Sequence, residues 1–227
     1  MQFPSTSLRV RLVLAFALLI LTLSLLLSLL AGFRSGQQVR AQIGDVLAET
    51  AYQMADKLDR SMWARRGEIS MLAELDALRH PVDAQAIGRL LDRLQASLPV
   101  FSWVGFTDAT GRVQAATGRI LEGVDISACP VFAMGSKRTF VGDVHDAVLL
   151  AKLLPNPTGE PMKFVDISVP VTAPDGRLAG VLAAHLSWEW ARQIERTIFQ
   201  SVRVDQNIDL FLVAADNTVL LGSTPAP

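Results

Sequence analysis

The chain has 227 residues, of which half are hydrophobic and 19% charged, and its formal net charge at pH 7 is -1. With a mean hydropathy of +0.33, it is too apolar to be mainly disordered, and too close to neutral to offer the basic face of a nucleic-acid binder. The single cysteine, Cys129, excludes an intramolecular disulfide and any CxxC redox or zinc pair.

The hydrophobicity is concentrated at the start. Leu12 to Phe33 is a run of 22 residues without a charge. As a helix it would be about 33 Å long, enough to cross a bilayer core. A cleaved signal peptide has a shorter apolar core and a small-residue cleavage site. Leu30-Ala31-Gly32 fits that site poorly, so the expectation is an uncleaved anchor behind a short cytoplasmic tail, residues 1–11. Arginines do not orient it: Arg9 and Arg11 precede the run, and Arg34 and Arg40 follow it.

From Arg34 to Arg79 seven basic and seven acidic residues balance. Apolar residues recur at Val39, Ile43, Val46 or Leu47, Ala51, Met54, Leu58, Met62, Ile69, Leu72 and Leu75. Spacings of three and four predict one long stalk helix, residues 34–80, nearly continuous with the span and loosened at Gly36, Gly44 and Gly67. Such a stripe needs a partner, so its far half is expected on a domain and its near half in a homodimer. His80-Pro81-Val82-Asp83 ends it, with Asp83 as N-cap of a second helix, Ala84 to Ser97.

Strand signals begin at Phe101. Phe101–Thr107 and Arg112–Thr117 flank Asp108-Ala109-Thr110-Gly111 and predict a hairpin. A loop over 118–127, a short helix over 128–136 opened by Pro130, and a strand from Thr139 to Val144 follow. Leu149–Leu154 is a strand or an irregular segment, and Pro155 to Gly159 a loop. Met162–Thr172 and Arg177–Trp188 read as long strands joined by Ala173-Pro174-Asp175-Gly176, and Glu189–Phe199 as a helix. Leu210–Leu221 repeats the pattern of Trp103–Ala115, an apolar strand, an Asp-led turn and a second strand. A lobe cannot end on one hairpin, so 201–227 is expected to open a second lobe in a longer protein.

The segments WVGFTDATGRVQAATG (103–118), TFVGDVHDA (139–147) and DISVPVTAPDGRLAGVLAAHLSW (166–188) resemble the double Cache, PAS-like sensor region of bacterial transmembrane receptors, with a lean towards receptors of the diguanylate cyclase group. The resemblance covers about residues 35–220. It implies an α+β fold: a transmembrane helix (12–33), a stalk helix, a membrane-distal lobe over 81–200 with a five-stranded antiparallel sheet, and a truncated second lobe. It also implies a periplasmic ligand cavity in the distal lobe, a second membrane helix and a cytoplasmic output domain. Family members that bind free amino acids carry an aromatic-and-arginine motif around the short helix. Here that stretch, Cys129 to Met134, has neither arginine nor tryptophan, which puts an amino-acid ligand in doubt.

Several side chains are candidates for the cavity. Alternation along Thr139–His145 puts Val141, Asp143 and His145 on one face. Asp143-x-His145-Asp146 reads as a solvated loop, an organic-ligand contact, or a metal site that lacks a fourth ligand. In Val165–Val171 the valines and Ile167 share one face, and Asp166, Ser168 and Pro170 the other, either as a polar solvent face or as a grip on a ligand. His185, on a face with Ala179, Val181, Ala183 and Ser187, is a structural or a binding histidine. Trp103, Phe132 and Phe140 are core or pocket wall. The expected ligand-binding set is therefore Asp143, Asp166, His185, Phe132, Phe140, His145 and Trp103, around a small neutral or cationic molecule. No GxSxG, HExxH or phosphate-loop motif occurs, so no catalytic residue, metal or cofactor is expected. The alternative is a membrane-anchored adaptor whose PAS-like lobe binds only protein.

Overall fold

The computed structural model describes residues 8–146, 150, 153–154, 162–201, 209–214 and 217–222. The chain divides into two compact units, Met1–Tyr52 and Gln53–Pro227.

Helix α1 runs without a break from Leu8 to Ala73. Gly36, Gly44 and Gly67 do not interrupt it: each costs about 1 kcal/mol relative to alanine, too little against so many helix-forming neighbours. Its apolar stretch is long enough to cross a membrane, with a mean hydropathy of 2.8 over its best window and no burial there. The helix ends before Arg79, and a separate turn, α2 (Asp76–Arg79), carries the buried Leu78. Helix α3 spans Ala84–Ser97, and its first turn is capped as expected, with Asp83 accepting from the Ala86 N–H.

The second unit is built on an antiparallel sheet of β1 (Phe101–Asp108), β2 (Val113–Ala116), β3 (Phe140–Val141), β4 (His145–Asp146), β5 (Lys163–Thr172) and β6 (Leu178–Ser187). Its order is β2-β1-β6-β5-β3, with β4 also on β5. Six strands thus occupy five positions, since β3 and β4 share the β5 edge. Between β1 and β2 the Asp108 carboxylate closes the turn, accepting from the Thr110 N–H and hydroxyl and from the Arg112 N–H.

Alternation gives the sheet two apolar faces. Val165, Ile167, Val169 and Val171 of β5 join Leu182, Ala184 and Leu186 of β6 against Ile69 and Ala73 of α1 and Ile87 and Leu91 of α3. The opposite face carries Trp103, Val181 and Ala183, covered by Ile126 and by Val131 and Phe132 of α4 (Pro130–Gly135). Beyond β6, α5 (Glu189–Ser201) leads to a two-stranded hairpin, β7 (Phe211–Val213) and β8 (Val219–Gly222). That hairpin packs within the same unit: Leu221 meets Met54 of α1 and Ile198 of α5, and the Trp188 indole N–H donates to the Leu220 carbonyl. Of the expected segment Leu149–Leu154, residues 149 and 151–152 lie outside the described residues, as does the whole expected loop 155–159.

Candidate ligand pocket

Asp166, Ser168 and His185 point to the face that α4 covers, because β5 and β6 alternate strictly there. Asp166 pairs directly with His185, and His185 with Trp103 on β1, so indole, imidazole and carboxylate stand side by side across three strands. Asp166 and His185 are only 6% and 8% exposed. His185 Nδ1 lies 2.5 Å from Asp166 Oδ1, but not along the N–H direction. Both atoms, and the Ser168 hydroxyl, lack a hydrogen-bond partner among the described residues. Buried polar atoms of this kind cost roughly 1–3 kcal/mol each, a cost that folds usually avoid away from functional sites.

His145 reaches the same place by a different route. From Phe140 to His145 the edge advances five residues while β5 advances four, from Ser168 back to Phe164. One extra residue between Val141 and His145 reverses the alternation. The expected grouping of Val141, Asp143 and His145 therefore does not hold: the bulge turns His145 to the face of Phe140 and Asp166. Its Nε2 stands 3.6 Å from Asp166 Oδ1, and its Nδ1 is 3.1 Å from the Asp143 carbonyl oxygen.

A cavity of about 230 Å³ opens over these groups. Trp103, Asp166 and His185 line its sheet side, His145 and Asp146 its edge, and Leu121, Ile126, Cys129, Pro130, Val131 and Leu150 its cover. Three expected residues do not line it. Asp143 is exposed, and its carboxylate accepts from the Val144 N–H beside it. Phe132 is packed in the core behind Val131, since one helical step turns it away from the cavity. Phe140 is half-buried and pairs with Ser168, one position along the strand from the opening. The apolar cover was missed because it comes from an irregular loop. Leu121 there holds φ +66, a left-handed conformation rare for a leucine and invisible to periodicity.

The pocket is polar at one end only. Ring contacts fix His185, with Trp103 at 5.4 Å and Phe164 edge-on at 6.0 Å between centroids. The Trp103 indole is itself tied to the loop by a hydrogen bond to the Ile120 carbonyl. Burial, with the nearby Asp166 and Asp125 charges, pushes the Cys129 thiol above its ordinary value, so it meets a ligand as a neutral group. Neither lysine nor arginine is among the lining residues.

Solved structures of sensor domains share this architecture. The ligand-binding domain of the Pseudomonas fluorescens chemoreceptor CtaA, in complex with L-isoleucine, is 19% identical with a TM-score of 0.57, over 82% of this chain and 70% of that one. The chain shares the fold of that domain. The extracellular domain of the histidine-kinase-type protein rpHK1S-Z16 matches at 15% identity and TM-score 0.56, over 76% of this chain and 67% of that one. The ligand-binding domain of the Campylobacter jejuni chemoreceptor Tlp3, in complex with 4-methylisoleucine, matches at 15% and 0.53, over 78% and 67%. No protein-family model and no curated protein sequence matches the chain. The α+β architecture expected from the sequence, a long apolar N-terminal helix followed by an antiparallel sheet, is thus the fold found.

Proposed function

We propose that this chain is the extracytoplasmic ligand-sensing region of a membrane-anchored signal-transduction receptor. The observation that carries the reading is the cavity on the sheet, with Asp166 and His185 buried and unsatisfied at its polar end. A fold that leaves such groups facing an opening pre-forms a site for something that satisfies them. In this reading Leu12–Phe33 spans the inner membrane and the sheet unit lies in the periplasm. The α1 residues Val39, Ile43, Val46 and Leu47, exposed on the single chain, form a parallel homodimer seam. Ligand binding then biases two packings of paired stalk helices.

The ligand is small, and neutral or cationic. Asp166 and Asp146 face the cavity with no lysine or arginine among its described lining residues, so a free carboxylate would be repelled. A cationic group would gain a charge-assisted bond to Asp166. Two of the sensors named above are in complex with L-isoleucine and 4-methylisoleucine, but the described lining residues of this pocket include no lysine or arginine to clamp a carboxylate.

In this reading an output domain, of the diguanylate cyclase or histidine kinase kind, follows a second span. Reading the gene beyond Pro227 tests that directly. A second apolar span followed by an output domain is the expected result; a stop codon shortly after Pro227 would instead favour an anchored adaptor.

A further inference from the structure

We propose that His145, Asp166 and His185 bind a divalent transition-metal ion of the zinc class at the polar end of the pocket. This names what the sensory pocket holds, and it rests on the sensory reading only for its signalling consequence. The three donor atoms lie within 4.8 Å of one another. Two imidazoles and one carboxylate form a three-ligand set that leaves one position of a tetrahedral zinc open. Donors on one tetrahedral ion, each about 2.0–2.1 Å from it, stand roughly 3.3 Å apart. The 3.6 Å between His145 Nε2 and Asp166 Oδ1 already meets that spacing, and the 2.5 Å pair needs only a small opening of the Asp166 carboxylate.

Two further observations separate this cluster from a chance gathering of polar groups. Asp166 Oδ1 and His185 Nδ1 are buried and make no hydrogen bond among the described residues, although they stand 2.5 Å apart. An ion ligated by both, once the Asp166 carboxylate opens, satisfies both at once. His145 is oriented as a ligating imidazole usually is: its Nδ1 faces the Asp143 backbone carbonyl, which keeps the Nε2 lone pair free for a metal. Asp143 thus acts through its backbone, behind His145, and not through its carboxylate.

The surroundings suit a transition ion better than calcium or magnesium. Two nitrogen donors and one oxygen match zinc, nickel or copper, while the hard cations take oxygen alone. Trp103 and Phe164 wall the His185 ring, and the partly exposed His145 provides an entry path. The fourth position faces the cavity, where water or a donor atom of a small molecule completes the shell.

The test uses the untagged 227-residue chain in detergent, stripped with a chelator, and titrated with Zn²⁺ against a chromophoric competitor. One equivalent per chain is expected, with no displacement by Mg²⁺. Asp166→Asn and His185→Gln should each weaken binding at least tenfold, and Co²⁺ should give the intense visible bands of a four-coordinate site. These substitutions are near-isosteric, and a melting curve for each reports whether it folds. Absence of stoichiometric binding, or unchanged affinity in a variant carrying His145→Gln, Asp166→Asn and His185→Gln together, overturns the site. Stabilisation by an organic cation but not by Zn²⁺ overturns the metal and leaves the sensory pocket standing. Tight zinc binding with no small-molecule or signalling response upholds the metal and removes the sensory reading.

Discussion

The Trp103 indole lies directly over Gly105, so that a Cβ on Gly105 would fall 2.3 Å from two ring carbons. The two residues share a face of β1, and the missing side chain is what lets the ring lie flat along the sheet beside His185. Gly105→Ala should therefore lift the indole, break its bond to the Ile120 carbonyl and narrow the cavity. We expect a loss of about 1–3 kcal/mol in stability, together with at least tenfold weaker ligand binding. Tryptophan fluorescence and calorimetry on the purified chain would check it; unchanged affinity would show that the ring is not a pocket wall.

Asp166 and His185 predict an asymmetry between single and double variants. Asp166→Leu leaves His185 buried without the carboxylate that stands 2.5 Å from it, and His185→Phe leaves that carboxylate without the imidazole. Each should cost about 1–3 kcal/mol. The double variant replaces both polar groups by apolar ones and should melt near or above the wild type, with ligand binding lost. A double variant that melts below both singles would mean that the pair holds the fold together.

The faces of β5 and β6 were legible because alternation from Phe164 to Val171 keeps one register against Gly180 to Ser187. The Asp83 cap and the Asp108 turn were legible because their side chains satisfy neighbouring backbone groups. His145 was grouped with Val141 and Asp143 because a single bulged residue between Val141 and His145 leaves no trace in hydropathy. Asp143 was read as a pocket carboxylate for the same reason. The apolar cover, Leu121, Ile126 and Val131, comes from a loop and a six-residue helix, where periodicity is too short to assign a face. Met54 fits the same apolar stripe as the residues expected in the homodimer, yet it is 3% exposed and packs against Ile198 and Leu221.

That difference separates two effects along α1. Ile43→Lys changes a residue 44% exposed on the single chain and should abolish self-association without altering the melting temperature. Met54→Ala empties a packed position and should cost about 2–4 kcal/mol. Sedimentation and thermal melts of the detergent-solubilised chain would separate them. Self-association that survives Ile43→Lys would contradict the proposed seam.

Asp108 gives the hairpin a pH dependence. Burial raises its value, but the Thr110 hydroxyl, the Arg112 and Thr110 N–H groups and the Gln114 amide together hold it below the ordinary carboxylate value. A folded value lower than the unfolded one means stability that is present above the unfolded value and lost as pH falls through the folded one. Asp108→Ala should cost about 1–2 kcal/mol at pH 7 and remove this part of the acid sensitivity. Melting curves from pH 7 down to strongly acidic buffer would show the gap between the variant and the wild type closing as pH falls; a constant gap would contradict the assignment.

The central claim, that the Asp166–His185 cavity is the ligand site, is tested most directly by a thermal-shift screen of the whole chain. The screen would set organic amines, polyamines, purines and Zn²⁺ against simple carboxylates, on the wild type and on Asp166→Asn and His185→Gln. A cationic or neutral compound should raise the wild-type melting temperature and lose that effect in both variants, while carboxylates do nothing. A carboxylate that stabilises the wild type and both variants equally would contradict the site and its charge preference together.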